Sequence, residues 1–332
     1  MPEPLYDASI AQQLIGLTVE QRTLGNSSIK VSVVGIGCNN FGGRIPEADA
    51  REVVSAALDA GITLFDTSDN YGNCGGSERF LGEVLGARRK DIVLASKFGM
   101  QMDDAGTLKG ASRRYIMSAV EASLARLKTD WLDLYQLHQP DPTVPIDETL
   151  RALDDLVRQG KVRSIGCSNL DATQVNEALA TSRSAGLNAF VTCQDEYSLL
   201  ARGIERELLP TMQENGLSLL PFYPLASGLL SGKYQRDVPI PARSRLTRVP
   251  VFTQRFLNDR NWSIAMALQD FAKQRGHTPL ELAFSWLACR PTVASVIAGA
   301  STAMQVRENV AAAGWKLTAA DFAAIDRITA AT

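Results

Sequence analysis

Histidine is nearly absent: the chain has 332 residues and two histidines, His138 and His277. A histidine-rich metal site is thereby excluded, no carboxylate cluster takes its place, and no metal is expected. Cysteine is sparse too. Cys38, Cys74, Cys167, Cys193 and Cys289 are odd in number, widely spaced and without a Cys-x-x-Cys pair. That pattern suits free thiols in a reducing compartment, so a cytoplasmic location is expected. Excess charge is also missing. A net charge of −2 gives no ground for a nucleic-acid partner. The start, MPEPLYDASIAQQLIG, lacks a basic segment followed by an apolar one, so no secretory leader is expected. The long uncharged run over 215–232 holds Pro221, Pro224 and three glycines. A membrane helix is not built that way, and no membrane partner is expected.

What is present is alternation. Short β-branched or apolar runs recur at Val33–Cys38, Thr63–Asp66, Ile92–Lys97, Leu132–Leu137, Val162–Cys167, Phe190–Gln194, Leu217–Phe222 and Ala294–Ile297. Amphipathic segments separate them. Pro46 before Glu47 and Asp49, Asp171 before Gln174, and Thr302 before Gln305 carry helix-start chemistry, with Thr318 before Asp321 a further case. Gly61, Gly160 and Gly216 stand where helices should end. The repeat is about 30 residues, one βα unit. An α/β fold follows, either a closed (β/α)8 TIM barrel or an open doubly wound sheet. An open sheet would display a glycine-rich dinucleotide loop. The best candidate, Gly35-Ile-Gly37-Cys-Asn-Asn40, lacks its third glycine, which favours the barrel. A hairpin over residues 20–32 is expected to cap the barrel floor. A long loop insertion over 228–261 follows the seventh strand, and an extra helix closes the chain. The whole of 1–332 is read as one domain, with a core of about 22–330. The insertion holds seven basic residues against two acidic ones, about +5. It reads as a solvated loop or as a lid over an anionic ligand.

Barrel chemistry sits where strands end. Asp66, Lys97 and His138 each close a strand, and Tyr71 follows Asp66 by five residues. Each has an ordinary structural reading: a helix cap, a solvent-reaching lysine, a structural histidine, a packed loop tyrosine. Together they form a proton-transfer set. Lys97 would lower the Tyr71 pKa, Asp66 would hold Lys97 charged, and Tyr71 would give a proton to a substrate oxygen. His138 would orient a carbonyl. No Gly-x-Ser-x-Gly or other nucleophile with a paired histidine is present.

Several segments resemble the aldo-keto reductase family: Phe65-Asp-Thr-Ser-Asp-Asn-Tyr71-Gly72, Ser96-Lys97-Phe98-Gly99, Asp133-Leu-Tyr-Gln-Leu-His138, Gly160-Lys-Val-Arg-Ser-Ile-Gly-Cys-Ser168-Asn169, Gln194-Asp-Glu-Tyr197, Pro224-Leu-Ala-Ser-Gly228-Leu-Leu-Ser-Gly232-Lys233 and Glu308-Asn309. They span nearly the whole chain, in the family's order. The resemblance implies a (β/α)8 barrel that reduces an aldehyde or ketone with NADPH, NADH being the other possibility. It implies Asp66, Tyr71, Lys97 and His138 as the catalytic four, with Tyr71 the general acid. Ser168, Asn169 and Gln194 would hold the nicotinamide amide, and Phe222 would stack on its ring. Tyr223, which replaces a small residue of the family pattern, would also border the cofactor. Gly37, Cys38, Asn39 and Asp66 would border the cofactor. Pro224, Leu225, Ala226, Gly228, Leu230, Gly232, Lys233 and Arg243 would follow its pyrophosphate. Gly299, Ser301, Thr302, Gln305, Glu308 and Asn309 would take its adenosine end. Basic residues common near 299–302 in NADP-preferring members are replaced by Gly, Ala, Ser and Thr, with Arg307 a compensating candidate. A small-molecule carbonyl substrate would lie against Asn40, Phe41, Tyr71, Cys74, His138 and Trp262.

Two other functions fit parts of the pattern. Lys97 as a Schiff-base nucleophile would make a barrel aldolase. Proteins resembling this family also act as cofactor-binding regulatory subunits of membrane channels, which implies slow turnover.

Overall fold

The structure is a computed structural model that describes residues 19–241 and 244–330. A short antiparallel hairpin, β1 (Gln21–Thr23) and β2 (Lys30–Ser32), precedes the barrel. Eight parallel strands then follow in order around the sheet: β3 (Val34–Gly37), β4 (Leu64–Asp66), β5 (Val93–Phe98), β6 (Leu132–Leu137), β7 (Val162–Ser168), β8 (Phe190–Gln194), β9 (Ser218–Leu219) and β10 (Val296–Ala298), the last pairing with β3. Closure comes at β9. A parallel bridge joins Leu219 to Val293, and the Ile297 amide donates to the Pro221 carbonyl at 3.1 Å. The fold is a (β/α)8 barrel, and every strand lies within two residues of a sequence-predicted one, except that β9 stops three residues early. Pro221 has no amide to donate, so the ladder breaks there.

The helices are α1 (Glu47–Asp59), α2 (Tyr71–Val84), α3 (Arg113–Leu127), α4 (Ile146–Arg158), α5 (Ala172–Ala185), α6 (Leu208–Glu214), α7 (Arg245–Arg248), α8 (Pro250–Phe256), α9 (Asp259–Gln274), α10 (Pro279–Ala288), α11 (Ala303–Ala311) and α12 (Ala319–Ala330). Asp171 and Gln174 form a reciprocal capping box at α5. At α11 the box is half made. Thr302 accepts from the Gln305 amide, but the Gln305 side chain accepts from the Ser301 amide and hydroxyl instead. Gly61, Gly160 and Gly216 all adopt positive φ after helices.

The hairpin plugs the barrel floor. Leu24, Ile29 and Val31 are buried against Leu64, Val93, Leu134 and Leu220 inside the strand ring. Burying each such side chain contributes roughly 1.5–3 kcal/mol. One end of the barrel is thus closed by apolar packing, which leaves the carboxyl ends of the strands as the accessible end.

The insertion is not a loop. It folds into α7 and α8. Ser244 caps the first through the Thr247 amide, Pro250 opens the second, and Asn258 caps α9 through the Asn261 amide. The Arg255 guanidinium pairs with Glu196 just beyond β8, and Arg236 pairs with Asp259 at 2.5 Å. These contacts fasten the basic segment over the open end. Arg243 lies outside the described residues. None of the described helices is long and apolar enough to cross a membrane.

Candidate active site

Four polar side chains converge at the carboxyl ends of neighbouring strands. Lys97, at the end of β5, is fully buried and donates to Asp66 Oδ2 on β4 at 2.6 Å and to the Thr67 carbonyl at 2.9 Å. Its Nζ also lies 5.0 Å from the Tyr71 ring centroid. Asp66 Oδ1 accepts from Gln194 at 2.9 Å and from Gln136 at 3.3 Å. His138, just past β6, meets Tyr71 edge-on with ring centroids 5.8 Å apart. The structure brings together the four residues singled out from sequence.

Tight backbone contact places Tyr71. After it, Gly72, Asn73, Cys74 and Gly75 all take left-handed conformations before α2 continues. Gly72 has φ +66°, and a Cβ there would fall 2.5 Å from the Ser77 amide nitrogen and 2.6 Å from the Phe41 carbonyl. Only glycine fits such a contact. The loops after β3 and β4 are locked together at this point.

Burial sets the protonation states. Burial raises the Tyr71 phenol above its ordinary range, and the Lys97 charge offsets only part of that rise. This corrects the expectation of a net lowering: desolvation outweighs the lysine. The phenol is therefore protonated at neutral pH, as a proton donor must be. Burial opposes the Lys97 charge, but Asp66 and Tyr71 more than offset it and the lysine pKa is raised. Burial, then repulsion from Lys97, brings His138 down to about 3, so its imidazole is neutral.

A neutral imidazole acts through its tautomer. The Ser68 hydroxyl lies 3.0 Å from His138 Nδ1, 2.8 Å from Asn70 Oδ1 and 3.2 Å from Asp69 Oδ1. One hydroxyl has one proton for three acceptors. Only when Ser68 donates to Nδ1 does Nε2 carry a hydrogen toward a ligand. Burial and repulsion from Glu78 raise Asp69 to about 7, which weakens it as a competing acceptor once it is protonated. Ser68→Ala is expected to lower kcat ~10–100-fold with cofactor affinity unchanged, and Ser68→Thr is expected to restore most of it. Steady-state kinetics beside a binding titration checks this. Equal losses in both variants would mean the hydroxyl does not position His138.

Further polar groups border these residues. Ser168 donates to the Gln194 carbonyl at 2.7 Å. Asn169, held at φ +61°, donates to the His138 carbonyl at 3.0 Å. Gln194 thus joins the Asp66 carboxylate to the Ser168–Asn169 turn. Phe222 meets Tyr223 edge-on at 5.2 Å, and the Phe222 amide donates to the Asp195 carbonyl at 3.0 Å. Lys233 Nζ lies over Gly228, where a Cβ would stand 2.8 Å from it at φ +99°. The buried side-chain oxygens of Asn39 and Ser227 have no protein partner. Gly299 lies close to Asn39 and Asn40, and the α11 N-terminus follows. Unpartnered polar atoms, a lysine and a helix N-terminus around glycines fit a long, anionic, amide-bearing group such as a nicotinamide dinucleotide. Asn309 is buried, and burial raises the Glu308 pKa. Gln305 is committed to the 301–302 turn. Asp195, which sequence reasoning passed over, is also buried beside this pocket. Its Oδ2 has no partner, and burial raises it to about 7.

Several expected positions differ. Phe41 is fully buried against Phe80 at 5.1 Å, so it is core and not a pocket wall. Trp262 lines a separate cavity of about 400 Å³ between the insertion and α9, with Leu229, Tyr234 and Met266. The helical spacing of 262, 265, 266 and 269 turns that face onto the cavity wall formed by Leu229, Leu230 and Tyr234. Leu230 and Gly232 line the same cavity. Cys38 is buried core, and Cys74 is exposed.

The sequence profile described as the Aldo/keto reductase family matches residues 33–330. A protein named probable voltage-gated potassium channel subunit beta, from Arabidopsis thaliana, is 34% identical over 303 residues, 89% of this chain and 91% of its own. One of the same name from Oryza sativa subsp. japonica gives the same figures. An L-glyceraldehyde 3-phosphate reductase from Escherichia coli (strain K12) is 32% identical over 303 residues, 89% of this chain and 87% of its own.

Proposed function

Since the chain belongs to the aldo/keto reductase family, we propose that it is a nicotinamide-dependent oxidoreductase that reduces an aldehyde or ketone to an alcohol, with Tyr71 as general acid. The observation that carries this reading is the buried chain Asp66–Lys97–Tyr71 facing His138. The bound cofactor supplies a hydride to the carbonyl carbon. Tyr71 gives its proton to the carbonyl oxygen as charge develops there. The Lys97 cation stabilises the phenolate left behind, and Asp66 keeps that cation in place without a mobile partner. His138 Nε2–H donates to the same oxygen and fixes the carbonyl's orientation. Ser168, Asn169 and Gln194 orient the carboxamide, and Phe222 provides a flat surface for the ring. Lys233 and the 299–302 turn take the phosphates.

NADPH is the proposed cofactor, with Arg307 as the residue able to meet a 2′-phosphate. The Ser301–Thr302 turn supplies no cation of its own. Fluorescence titration with NADPH and NADH tests this choice. NADPH is expected to bind at least ~10-fold tighter, a difference of about 1.4 kcal/mol. Equal affinities would contradict the assignment of Arg307.

The relatives named as channel subunits favour one further reading, a cofactor-binding regulatory subunit. It shares the pocket and differs in turnover. The Schiff-base reading is disfavoured because Lys97 is charged, paired with Asp66 and directed at Tyr71.

A further inference from the structure

Of the three acceptors around the Ser68 hydroxyl, one is a carboxylate, and it is buried. Asp69 lies in the loop between β4 and α2 and is 1% exposed. Its amide donates to the Lys97 carbonyl at 3.2 Å, which fixes the loop against β5. Its side chain meets two hydroxyls. Oδ1 lies 3.2 Å from Ser68 Oγ, and Oδ2 accepts from the Tyr115 hydroxyl of α3 at 3.4 Å. Among the described residues it has no ion pair. Arg126 on α3, whose charge reaches it, is paired with Glu78 of α2 at 2.7 Å. The Tyr135 phenol of β6, fully buried and without a partner among the described residues, also feels the Asp69 charge.

The two protonation states of Asp69 orient Ser68 differently. A hydrogen bond to a charged acceptor is about twice as strong as one between neutral groups. Beside an ionised Asp69, Ser68 therefore points its proton at Oδ1 and turns a lone pair to His138 Nδ1, 3.0 Å away. Nδ1 must then carry the imidazole hydrogen to fill that contact, and Nε2 is left as a lone pair. Beside a protonated Asp69 that pull is gone. Ser68 donates to Nδ1, and Nε2 carries the hydrogen. Asn70 Oδ1, at 2.8 Å, is a neutral acceptor in both states and does not select between them. The imidazole stays neutral throughout, since burial and repulsion from Lys97 bring it down to about 3. Burial and repulsion from Glu78 raise Asp69 to about 7, against the opposing effects of Ser68, Arg126 and the Asn70 amide.

We propose that Asp69 is a positioning residue that sets the tautomer of His138 through the Ser68 hydroxyl, and thereby the pH range over which the site reduces a carbonyl. With Asp69 protonated, Nε2–H donates to a carbonyl oxygen. With Asp69 ionised, the Nε2 lone pair opposes a carbonyl oxygen and suits the hydroxyl of an alcohol. Reduction is favoured on the acid side and alcohol oxidation on the alkaline side, with no change of charge on the histidine. The consequence for turnover rests on the reductase reading; the tautomer does not.

Long-range proton–nitrogen NMR of protein carrying isotope-labelled histidine reads the tautomer without turnover. The chain has two histidines, and His277→Gln removes the signals of the other. The His138 pattern is expected to pass from Nε2–H to Nδ1–H as pH rises through about 7, and to stay Nε2–H in Asp69→Asn. A wild-type pattern that does not change overturns the inference, and that measurement needs no substitution at Asp69. So does a change that survives in Asp69→Asn, or one abolished instead by Asp195→Asn, the other carboxylate that burial raises to about 7. In steady state, kcat for reduction of 4-carboxybenzaldehyde is expected to fall ~10-fold across the same range in the wild type. Asp69→Asn is expected to hold it within about twofold. A limb unmoved by Asp69→Asn overturns the kinetic half. If the tautomer changes as stated and no aldehyde is reduced, the reductase reading fails, and the control of His138 by Asp69 stands.

Discussion

Tyr71→Phe is expected to lower kcat for carbonyl reduction by ~10²–10⁴-fold, the usual contribution of a positioned proton donor. The substitution removes one oxygen and keeps the ring. Its edge contact with His138 at 5.8 Å and its place under Lys97 survive, so folding and cofactor binding should be preserved. Dissociation constants for NADPH within about threefold of the wild type would be uniform binding retained while transition-state stabilisation is lost. Steady-state rates by NADPH absorbance, beside a fluorescence titration, provide the check. Retained turnover would assign the acid elsewhere, with His138 the next group in reach.

Lys97→Met carries the second large effect, and it has two parts. The first is stability. Asp66 would lose the cationic partner it has among the described residues while buried, keeping amide donors from Gln136 and Gln194. Removing one member of a buried pair typically costs about 3–5 kcal/mol. The wild-type pair does not weaken near neutrality. A lysine with a raised folded pKa contributes fully below its unfolded pKa of about 10.4, and loses that contribution only as pH rises through the folded value. The second part is kinetic. Lys97 is the largest influence that lowers the Tyr71 pKa against burial. Without it the phenol pKa rises further. Alcohol oxidation needs the phenolate, so its rate should climb with pH in both proteins, with the limb shifted to higher pH in Lys97→Met. An unmoved limb would break the proposed coupling. Lys97→Arg keeps the cation and distinguishes lost charge from a general loss of folding.

The barrel was legible because its signal is repeated. A β-branched strand, an amphipathic helix and a glycine stop recur often enough for local ambiguities to average out. Strand ends were legible to within two residues where backbone hydrogen bonds continue, and failed at Pro221, where they cannot. Asp66, Lys97 and His138 could be singled out because each is a polar residue directly after an apolar run. Tyr71 closes no strand and is legible only as a member of the set, the loop tyrosine after Asp66 that supplies the proton donor; the resemblance adds to that reading.

Other features depend on tertiary contact and left little local trace. Phe41 follows two asparagines and reads as pocket wall, yet the loop turns it inward onto Phe80. Trp262 fails through helix phase: α9 starts at Asp259, and that start decides which face Trp262 takes. The net rise at Tyr71 depends on how much protein surrounds the ring, a quantity that spacing does not encode. The insertion does carry a local helix signal: Ser244, Pro250 and Asn258 are ordinary helix-start residues, set in an arginine-rich run that reads as a solvated loop.

The most direct measurement is a single-turnover reaction. NADPH-loaded protein is mixed with excess 4-carboxybenzaldehyde, and cofactor absorbance and benzyl alcohol formation are followed together. The account predicts one alcohol formed for each cofactor oxidised in the wild type, and neither change in Tyr71→Phe on the same timescale. Bound NADPH that remains reduced in the wild type, with no alcohol formed, would contradict it and favour a cofactor-binding subunit.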